Sequence, residues 1–350
     1  MLFKKTNKIN IPFIVYEITP SCNYNCKYCY NIWKAKDYKS PPVSSYSMVK
    51  KTLNHLFKKA NLDTIAFSGG EPSLFRRLPE IILFCKMKKK QVVLITNGSA
   101  SERHDYKMLI ESGVNLFEIP IHSYNFAEHD KLSGIKNSWK NSVQSVKTIL
   151  SLKGSVVVVI VITKINYKSL PRTIQFIKEL GINQIMLNRF NIGGEGIKQK
   201  SEIGLSIKEL QKAFKLANTT INKVKIKASS NVCTPFCVLN PENYPNIPFS
   251  ACYPRELNRS WTLDPEGNIR FCNHSPHIIG NIYKATFEEL LQSDYIKEWQ
   301  EEVPKVCEQC KIYKKCWAGC RAASEQLGFS LKYADPLVYE FLKIPMDKNS

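Results

Sequence analysis

Long apolar runs are missing from the sequence. The longest, Val156–Ile162, is strand-sized and falls far short of the roughly 20 residues that a membrane helix needs, so no membrane span is expected. The N-terminal Met-Leu-Phe-Lys-Lys-Thr-Asn-Lys carries charge with no apolar core behind it, which argues against a secretory signal and for a cytoplasmic chain. Acidic residues are scarce: 30 against 50 Lys and Arg, for a net charge of +20. Residues 1–60 hold eleven lysines and no arginine, against only Glu17 and Asp37, and a second basic run is Lys86, Lys88, Lys89 and Lys90. This surplus reads either as a solvated face or as attraction to an acidic partner. A basic stripe interleaved with aromatics is also absent, so nucleic acid is not the expected partner, whereas an acidic peptide fits. What remains is an ordinary globular composition, 43% hydrophobic and 23% charged over 350 residues, enough for two or three domains.

Cysteine is abundant. The twelve are Cys22, Cys26, Cys29, Cys85, Cys233, Cys237, Cys252, Cys272, Cys307, Cys310, Cys316 and Cys320. In a cytoplasmic chain this number points to metal or catalysis rather than disulfides. Three groups emerge: Cys22-x3-Cys26-x2-Cys29; Cys252 followed by Gly267-x4-Cys272; and Cys307-x2-Cys310-x5-Cys316-x3-Cys320. Close thiolates suit zinc or iron–sulfur clusters. Structural zinc wants four ligands and the first group offers three. A cubane held by three thiolates keeps one iron open for a ligand. A zinc site borrowing a distant ligand is the alternative.

Strand-like runs recur at 11–19, 64–67, 92–96, 116–121, 155–163 and 184–187, with helical spacing between them at 44–60, 78–90, 103–112, 138–152 and 169–180. Such alternation implies a parallel α/β sheet whose chemistry lies at the carboxyl ends of the strands. The residues at those ends fit. They are the three cysteines, Ser68-Gly69-Gly70-Glu71-Pro72, Asn97-Gly98, His122-Ser123, Asn166 and Asn188-Arg189. After Ala217 the repeats stop and Pro235, Pro241, Pro245, Pro248 and Pro254 mark an irregular entry to a second unit. There, residues 261–263 and 268–271 flank Asp264-Pro265-Glu266-Gly267 as a hairpin, and Thr286 to Val303 reads as one helix. Cys85, on an apolar helical face with Ile81, Ile82 and Phe84, belongs to the core.

With CxxxCxxC at Cys22, Cys26 and Cys29, GGEP at Gly69–Pro72 one strand later, and the later cysteines in place, the chain resembles a radical SAM enzyme with a C-terminal SPASM domain. Fourteen residues separate Cys252 from Gly267, and the CxxCxxxxxCxxxC block is complete. The resemblance implies a partial (β/α)6 barrel at 1–228 and a SPASM domain carrying auxiliary clusters at 229–350. It implies a 4Fe-4S cluster on Cys22, Cys26 and Cys29 whose open iron takes S-adenosylmethionine. Tyr28 falls near the adenine. Gly69, Gly70 and Pro72 belong to the methionine-binding turn, and Glu71 is an acceptor for the ammonium. Ser123, Asn188 and Arg189 are candidates for the ribose and carboxylate by strand-end position, or else ordinary loop residues.

Two auxiliary 4Fe-4S clusters are implied. One draws on Cys252, Cys272 and Cys320, the other on Cys307, Cys310 and Cys316. The family's last cysteine has no counterpart after Cys320, which leaves Asp335, a Glu, water or an upstream thiolate as its replacement. Cys233 and Cys237 are read as cluster ligands, one of them completing the first auxiliary set, as ordinary thiols, or as hydrogen donors in epimerisation. A zinc-only second domain is the structural alternative.

The implied activity is reductive cleavage of S-adenosylmethionine to a 5′-deoxyadenosyl radical, followed by hydrogen abstraction from a substrate, with a ribosomally made peptide as the leading expectation. Flavodoxin or ferredoxin would supply electrons. Because Cys22 comes almost at once, leader recognition would fall to a separate protein or to the basic surface. Alternatives are peptide epimerisation, sulfatase maturation (disfavoured because Asn273, not Asp, follows Cys272), small-molecule dehydrogenation, and an iron–sulfur or zinc protein that binds RNA.

Overall fold

The computed structural model describes residues 8–34, 43–99, 103–253 and 260–347. Pro254, Asp37 and the extreme N-terminus lie outside them. Seven parallel strands follow the chain in order: β1 (Ile9–Thr19), β2 (Ala60–Gly69), β3 (Gln91–Ile95), β4 (Leu116–Pro120), β5 (Val156–Ile162), β6 (Gln184–Arg189) and β7 (Lys227–Ser229). Between them run α1 (Tyr46–Lys59), α2 (Leu78–Met87), α3 (Arg103–Ser112), α4 (Phe126–Ser133), α5 (Ser138–Ser151), α6 (Leu170–Glu179), α7 (Gly196–Ile203) and α8 (Ile207–Val224). The first six strands with their helices are the expected six β/α units. The repeat does not end at Ala217, however. A Ser206/Glu209 capping box starts α8, which runs on to Val224, and a seventh strand follows.

Each strand sorts its side chains by the two-residue period. Ile14, Tyr16, Phe67, Leu94, Phe117, Ile119, Val158 and Ile160 pack with Val49, Leu53, Leu56, Ile81 and Val143 of the helices. Each such apolar side chain, once fully buried, contributes about 1.5–3 kcal/mol. The opposite face gathers Val15, Ala66 and Val93 with Phe13, Ile95 and Leu116 into a second small cluster, the floor of the barrel lumen. Cys85 is fully buried in the helix-side core, as its position on α2 predicts.

The second unit adds to this same sheet. Strand β8 (Trp261–Leu263) pairs in parallel with β1, β9 (Asn268–Arg270) pairs antiparallel with β8, and β10 (Ile278–Asn281) with β9, so one ten-stranded sheet runs from β10 to β7. The helix expected over Thr286–Val303 is instead two, α9 (Phe287–Leu291) and α10 (Asp294–Glu301). The capping box forms at Thr286 and Glu289, but Ser293 takes an extended backbone (φ −60°, ψ 145°) that a continuous helix cannot contain. Then come α11 (Tyr313–Cys316), α12 (Arg321–Gln326) and α13 (Pro336–Leu342). No helix among the described residues is long and apolar enough to cross a membrane.

Two buried ion pairs tie the units together. Glu17 on β1 meets Arg270 on β9, and Arg189 at the end of β6 meets Asp335, the residue before α13. Arg189 is 3% exposed. It also donates through Nε to the Thr234 hydroxyl (3.1 Å) and through Nη2 to the Cys233 carbonyl (2.9 Å). Removing one partner of such a pair leaves an uncompensated buried charge. Arg189→Met is therefore expected to lower unfolding stability by about 3–5 kcal/mol, and Arg189→Met with Asp335→Leu by clearly less. Denaturant titration of the single and double variants checks this.

Candidate active site and thiol clusters

Strand β1 carries a register shift between Glu17 and Thr19, immediately before the loop that holds Cys22, Cys26 and Cys29. A bulge at such a point re-aims the chain that follows. The loop is then fastened from every side. Gly70 N–H donates to the Thr19 carbonyl (2.7 Å), Glu71 N–H to the Ser21 carbonyl (2.8 Å), Lys27 N–H to the Leu132 carbonyl (2.9 Å) and Gly196 N–H to the Cys29 carbonyl (3.3 Å). Asn31 Nδ2 donates to the Gly69 carbonyl. The three thiols are partly buried and free. Burial and the neighbouring Cys29 push the Cys26 thiol up to about 12, while a hydrogen bond from the Tyr28 hydroxyl and the charge of Lys34 act the other way. Lys34 acts on Cys22 and Cys29 in the same direction. Three thiols around one cation, with no fourth cysteine in the loop, fit a cluster that keeps an open iron.

The candidate residues divide. Tyr28 packs edge-on against His122 (ring centroids 4.5 Å apart) beside Cys26, at the rim of the thiol loop. Gly69 has φ +114°, a conformation that side chains resist. A Cβ on Gly70 would stand 2.0 Å from the Ser21 carbonyl oxygen. These glycines therefore let β2 close against the thiol loop. Pro72 is buried at the start of a short 3-10 turn.

Glu71 has a structural role beside the one expected for it. Its carboxylate is 1% exposed and accepts from the Thr96 hydroxyl (2.7 Å), Ser73 N–H (3.0 Å) and Asn97 N–H (2.7 Å), so it braces the turn. Ser123 is also turned inward: it is fully buried, donates to Glu128 (2.6 Å) and accepts from Asn125 N–H (3.0 Å). Arg189 is taken by Asp335 on the helix side of β6. Asn188 alone of that strand-end group keeps a lumen-side place, where its Oδ1 holds Asn231 N–H (3.0 Å). His122 is buried, with Nδ1 accepting from Val161 N–H (3.2 Å), a packing role.

Several residues of the site lie outside the sequence motifs. Tyr30 joins the thiol loop to the hairpin, its hydroxyl accepting from Asn273 Nδ2 (2.8 Å). Gln326 of α12 clamps three segments at once, donating to the Tyr30 (3.1 Å) and His274 (2.8 Å) carbonyls and accepting from Gly194 N–H (2.7 Å). Glu118 is the most informative. Its neighbours Phe117 and Ile119 face the helices and Leu116 lies on the lumen floor, so alternation puts Glu118 in the lumen, in register with Ile95 and Val157. Burial pushes its carboxyl up to about 7, and its charge reaches Tyr30. A charged residue on the inward phase of an apolar strand is the signal that would have found it.

The remaining thiols gather in two places. Cys233 is hydrogen-bonded to Cys252 and lies within electrostatic reach of Cys272 and Cys320. Cys307 lies within reach of Cys316, Cys310 and Cys237. Polar N–H groups already point at these sulfurs: Asn191 Nδ2 at Cys320 (3.2 Å), His274 N at Cys272 (3.4 Å) and Phe236 N at Cys316 (3.2 Å). Among the described residues no three His, Cys, Asp or Glu side chains converge tightly enough for a single metal ion. A cubane, which spreads its thiolates over separate irons, asks for a wider set.

A partial parallel barrel with a three-thiol loop at its first strand exit, a glycine turn at its second and a thiol-rich cap defines a class of radical-generating iron–sulfur enzymes. The chain belongs to the radical SAM superfamily, whose family profile matches residues 16–219, more than half of it, and an iron–sulfur cluster-binding (SPASM) domain profile matches 252–317. Its cofactors are accordingly S-adenosylmethionine and a 4Fe-4S cluster, with auxiliary iron–sulfur clusters in the second domain. The chain is 26% identical to the Fe-coproporphyrin III synthase of Methanosarcina barkeri, over 96% of this chain and 89% of that one. It is 24% identical to the subtilosin biosynthesis protein AlbA of Bacillus subtilis, over 89% of this chain and 66% of that one. The fold matches Streptococcus suis SuiB bound to its precursor peptide SuiA, with a TM-score of 0.72 at 14% identity over 95% of this chain and 76% of that one.

Two outcomes are expected. Gly70→Ala displaces the thiol loop, so anaerobic reconstitution yields about four fewer irons per chain than the parent, as iron analysis would read. The Glu118 carboxyl rises on folding from 4.5 to about 7. Its penalty is therefore absent in acid, grows as pH climbs to about 7 and is constant above. Glu118→Gln removes it. The variant's stability gain over the parent should increase from near pH 5 to about 2 kcal/mol by pH 8 in urea titrations, with residual lumen water discounted.

Proposed function

We propose that this enzyme oxidatively modifies a ribosomally made peptide, forming a cross-link or thioether at an unactivated carbon. The carrying observation is the thiol-rich cap built onto the barrel's own sheet. Strand β8 pairs with β1, and Asn273, next to Cys272, meets Tyr30, next to Cys29. The three-thiol loop and the cap thus face one lumen from two sides. When bound, the first cluster and S-adenosylmethionine supply a radical that takes a hydrogen atom, and the auxiliary clusters supply an acceptor for the electron left behind. The residues of the chain do the rest. Lys34 offsets negative charge on the three thiolates, the Tyr28 hydroxyl hydrogen-bonds Cys26, and apolar Val15, Ala66 and Val93 keep the floor dry. The Glu118 carboxyl, poised at about 7, holds the proton that an oxidised substrate must release.

The names of AlbA and of SuiB with its bound precursor support a peptide. Flavodoxin or ferredoxin would act as reductant, a separate protein or the basic surface would recognise a leader, and the setting would be cytoplasmic. Asn273 in place of Asp weighs against a sulfatase-maturing activity. A small-molecule reading has one observation in its favour, the similarity to a coproporphyrin-processing enzyme over nearly the whole chain.

Incubation with precursor peptides encoded beside the gene, S-adenosylmethionine and dithionite distinguishes these readings. 5′-Deoxyadenosine should form together with a peptide lighter by two hydrogens. Deoxyadenosine with unchanged peptide, and consumption of a porphyrin instead, would overturn the peptide reading. Solvent deuterium incorporation without net oxidation would favour epimerisation.

A further inference from the structure

Two cysteines, Cys233 and Cys237, lie outside the matched cluster-binding segment 252–317 and outside its spacing pattern. They are separated by one turn of chain, Thr234-Pro235-Phe236, and the structure fixes that turn from both flanks. Arg189 holds the Cys233 carbonyl and the Thr234 hydroxyl. Phe236 N–H points at the Cys316 sulfur (3.2 Å). The Pro235 ring packs so close to Gly319 that a Cβ there would stand 2.6 Å from its Cγ. The turn is thus wedged between the two thiol groups of the cap. Its first cysteine contacts Cys252, near Cys272 and Cys320. Its second lies by Cys316 and Cys310, and within reach of Cys307.

Asp335, the other candidate for completing the second group, is not available. It is fully buried, Oδ1 accepts from Leu337 N–H (3.0 Å), and Oδ2 accepts from Cys320 N–H (2.9 Å) and Arg189. Cys237, by contrast, is exposed at its group's rim, as is Cys310.

We propose that the Cys233–Cys237 turn gives one thiolate to each auxiliary cluster: Cys233 completes the set Cys252, Cys272 and Cys320, and Cys237 completes the set Cys307, Cys310 and Cys316. Every auxiliary iron then has a protein thiolate, and one five-residue turn, anchored by Arg189, couples the assembly of both clusters. The inference rests on the auxiliary clusters themselves.

Alkylation footprinting of the reconstituted full-length protein tests it. The loaded protein is treated anaerobically with iodoacetamide under native conditions, then stripped with chelator, denatured and labelled with a heavier reagent. Cys237, although exposed, should be protected in the loaded protein to the same degree as Cys307, Cys310 and Cys316, and all four should react once iron is removed. Labelling of Cys237 while those three stay protected would overturn the assignment. Labelling of all four in the loaded protein would mean that no second cluster exists, a failure of the reading beneath it.

A second measurement avoids dependence on the footprint. In a background with Cys22, Cys26 and Cys29 changed to Ala, the cap should hold about eight irons. Adding Cys237→Ala should lower that number and leave a three-iron signal on mild oxidation, whereas adding Cys85→Ala should change nothing. Retention of about eight irons without a three-iron signal in the Cys237→Ala protein would also overturn the proposal.

Discussion

Everything that bears on chemistry depends on β1 being paired along both edges. Its one edge carries β2, whose end is the glycine turn, and its other edge carries β8, which leads into the hairpin and the cap thiols. A parallel strand held on both sides has little freedom to slide, because a one-residue slip would exchange its lumen and helix faces. The thiol loop at its end is therefore presented in one position relative to both neighbours. The Glu17–Arg270 pair reinforces this from inside the sheet, since it joins β1 to β9 across β8 where water cannot compete. A buried pair of this kind is weak as a source of net stability but strong as a statement of register, because any other alignment leaves two charges unpaired.

The second buried pair does the same at the far side of the barrel. Arg189 ends β6 and reaches Asp335, Thr234 and the Cys233 carbonyl. Asp335 in turn caps α13 and receives Cys320 N–H. One guanidinium thus organises a strand end, a helix start and the backbone of two cysteines. The thiols themselves are costly to bury as thiolates, and burial with neighbouring sulfurs pushes Cys26, Cys307 and Cys320 upward. Iron must displace protons to enter, so cluster loading is linked to pH.

Most of the barrel was legible because strands and helices differ in hydrophobic period. Val156–Ile162 is continuously apolar, as a strand buried on both faces must be, while Val49, Leu53 and Leu56 recur at helical spacing. The first thiol trio was legible from spacing, but spacing joins Cys320 to Cys307, Cys310 and Cys316, whereas it lies by Cys272 in the fold. What spacing does not carry is direction. Ser123 stands at a strand exit but turns inward, because its short side chain finds Glu128 and the Asn125 N–H beside it. Arg189 stands beside Asn188, yet alternation sends the two to opposite faces of β6, one to the cap and one to the lumen. The break at Ser293 was hidden because the capping box at Thr286 begins a helix without saying how far it runs. Tyr30 and Gln326 were invisible because their partners are distant in sequence.

The basic surplus is best understood in the same way, by asking what each charge touches. Lys50 lies over the Tyr46 and Phe84 rings, Lys88 over Phe84, Lys90 over Phe57, and Arg77 stacks 3.6 Å above Tyr46. Lys8, Lys59 and Lys90 donate to the carbonyls of Phe57, Ala285 and Leu62. Each cation–ring contact contributes on the order of 0.5–1 kcal/mol at an exposed site. Part of the positive charge therefore covers apolar rings and open carbonyls around α1 and α2. The recess of about 460 Å³ that Lys50, Lys51, His55 and Lys58 line is open. Its charges act at long range and are screened by salt, a setting that steers charged molecules more than it holds them in a fixed pose. The lumen side differs: there Glu17 is paired with Arg270, and burial raises the Glu118 carboxyl to about 7.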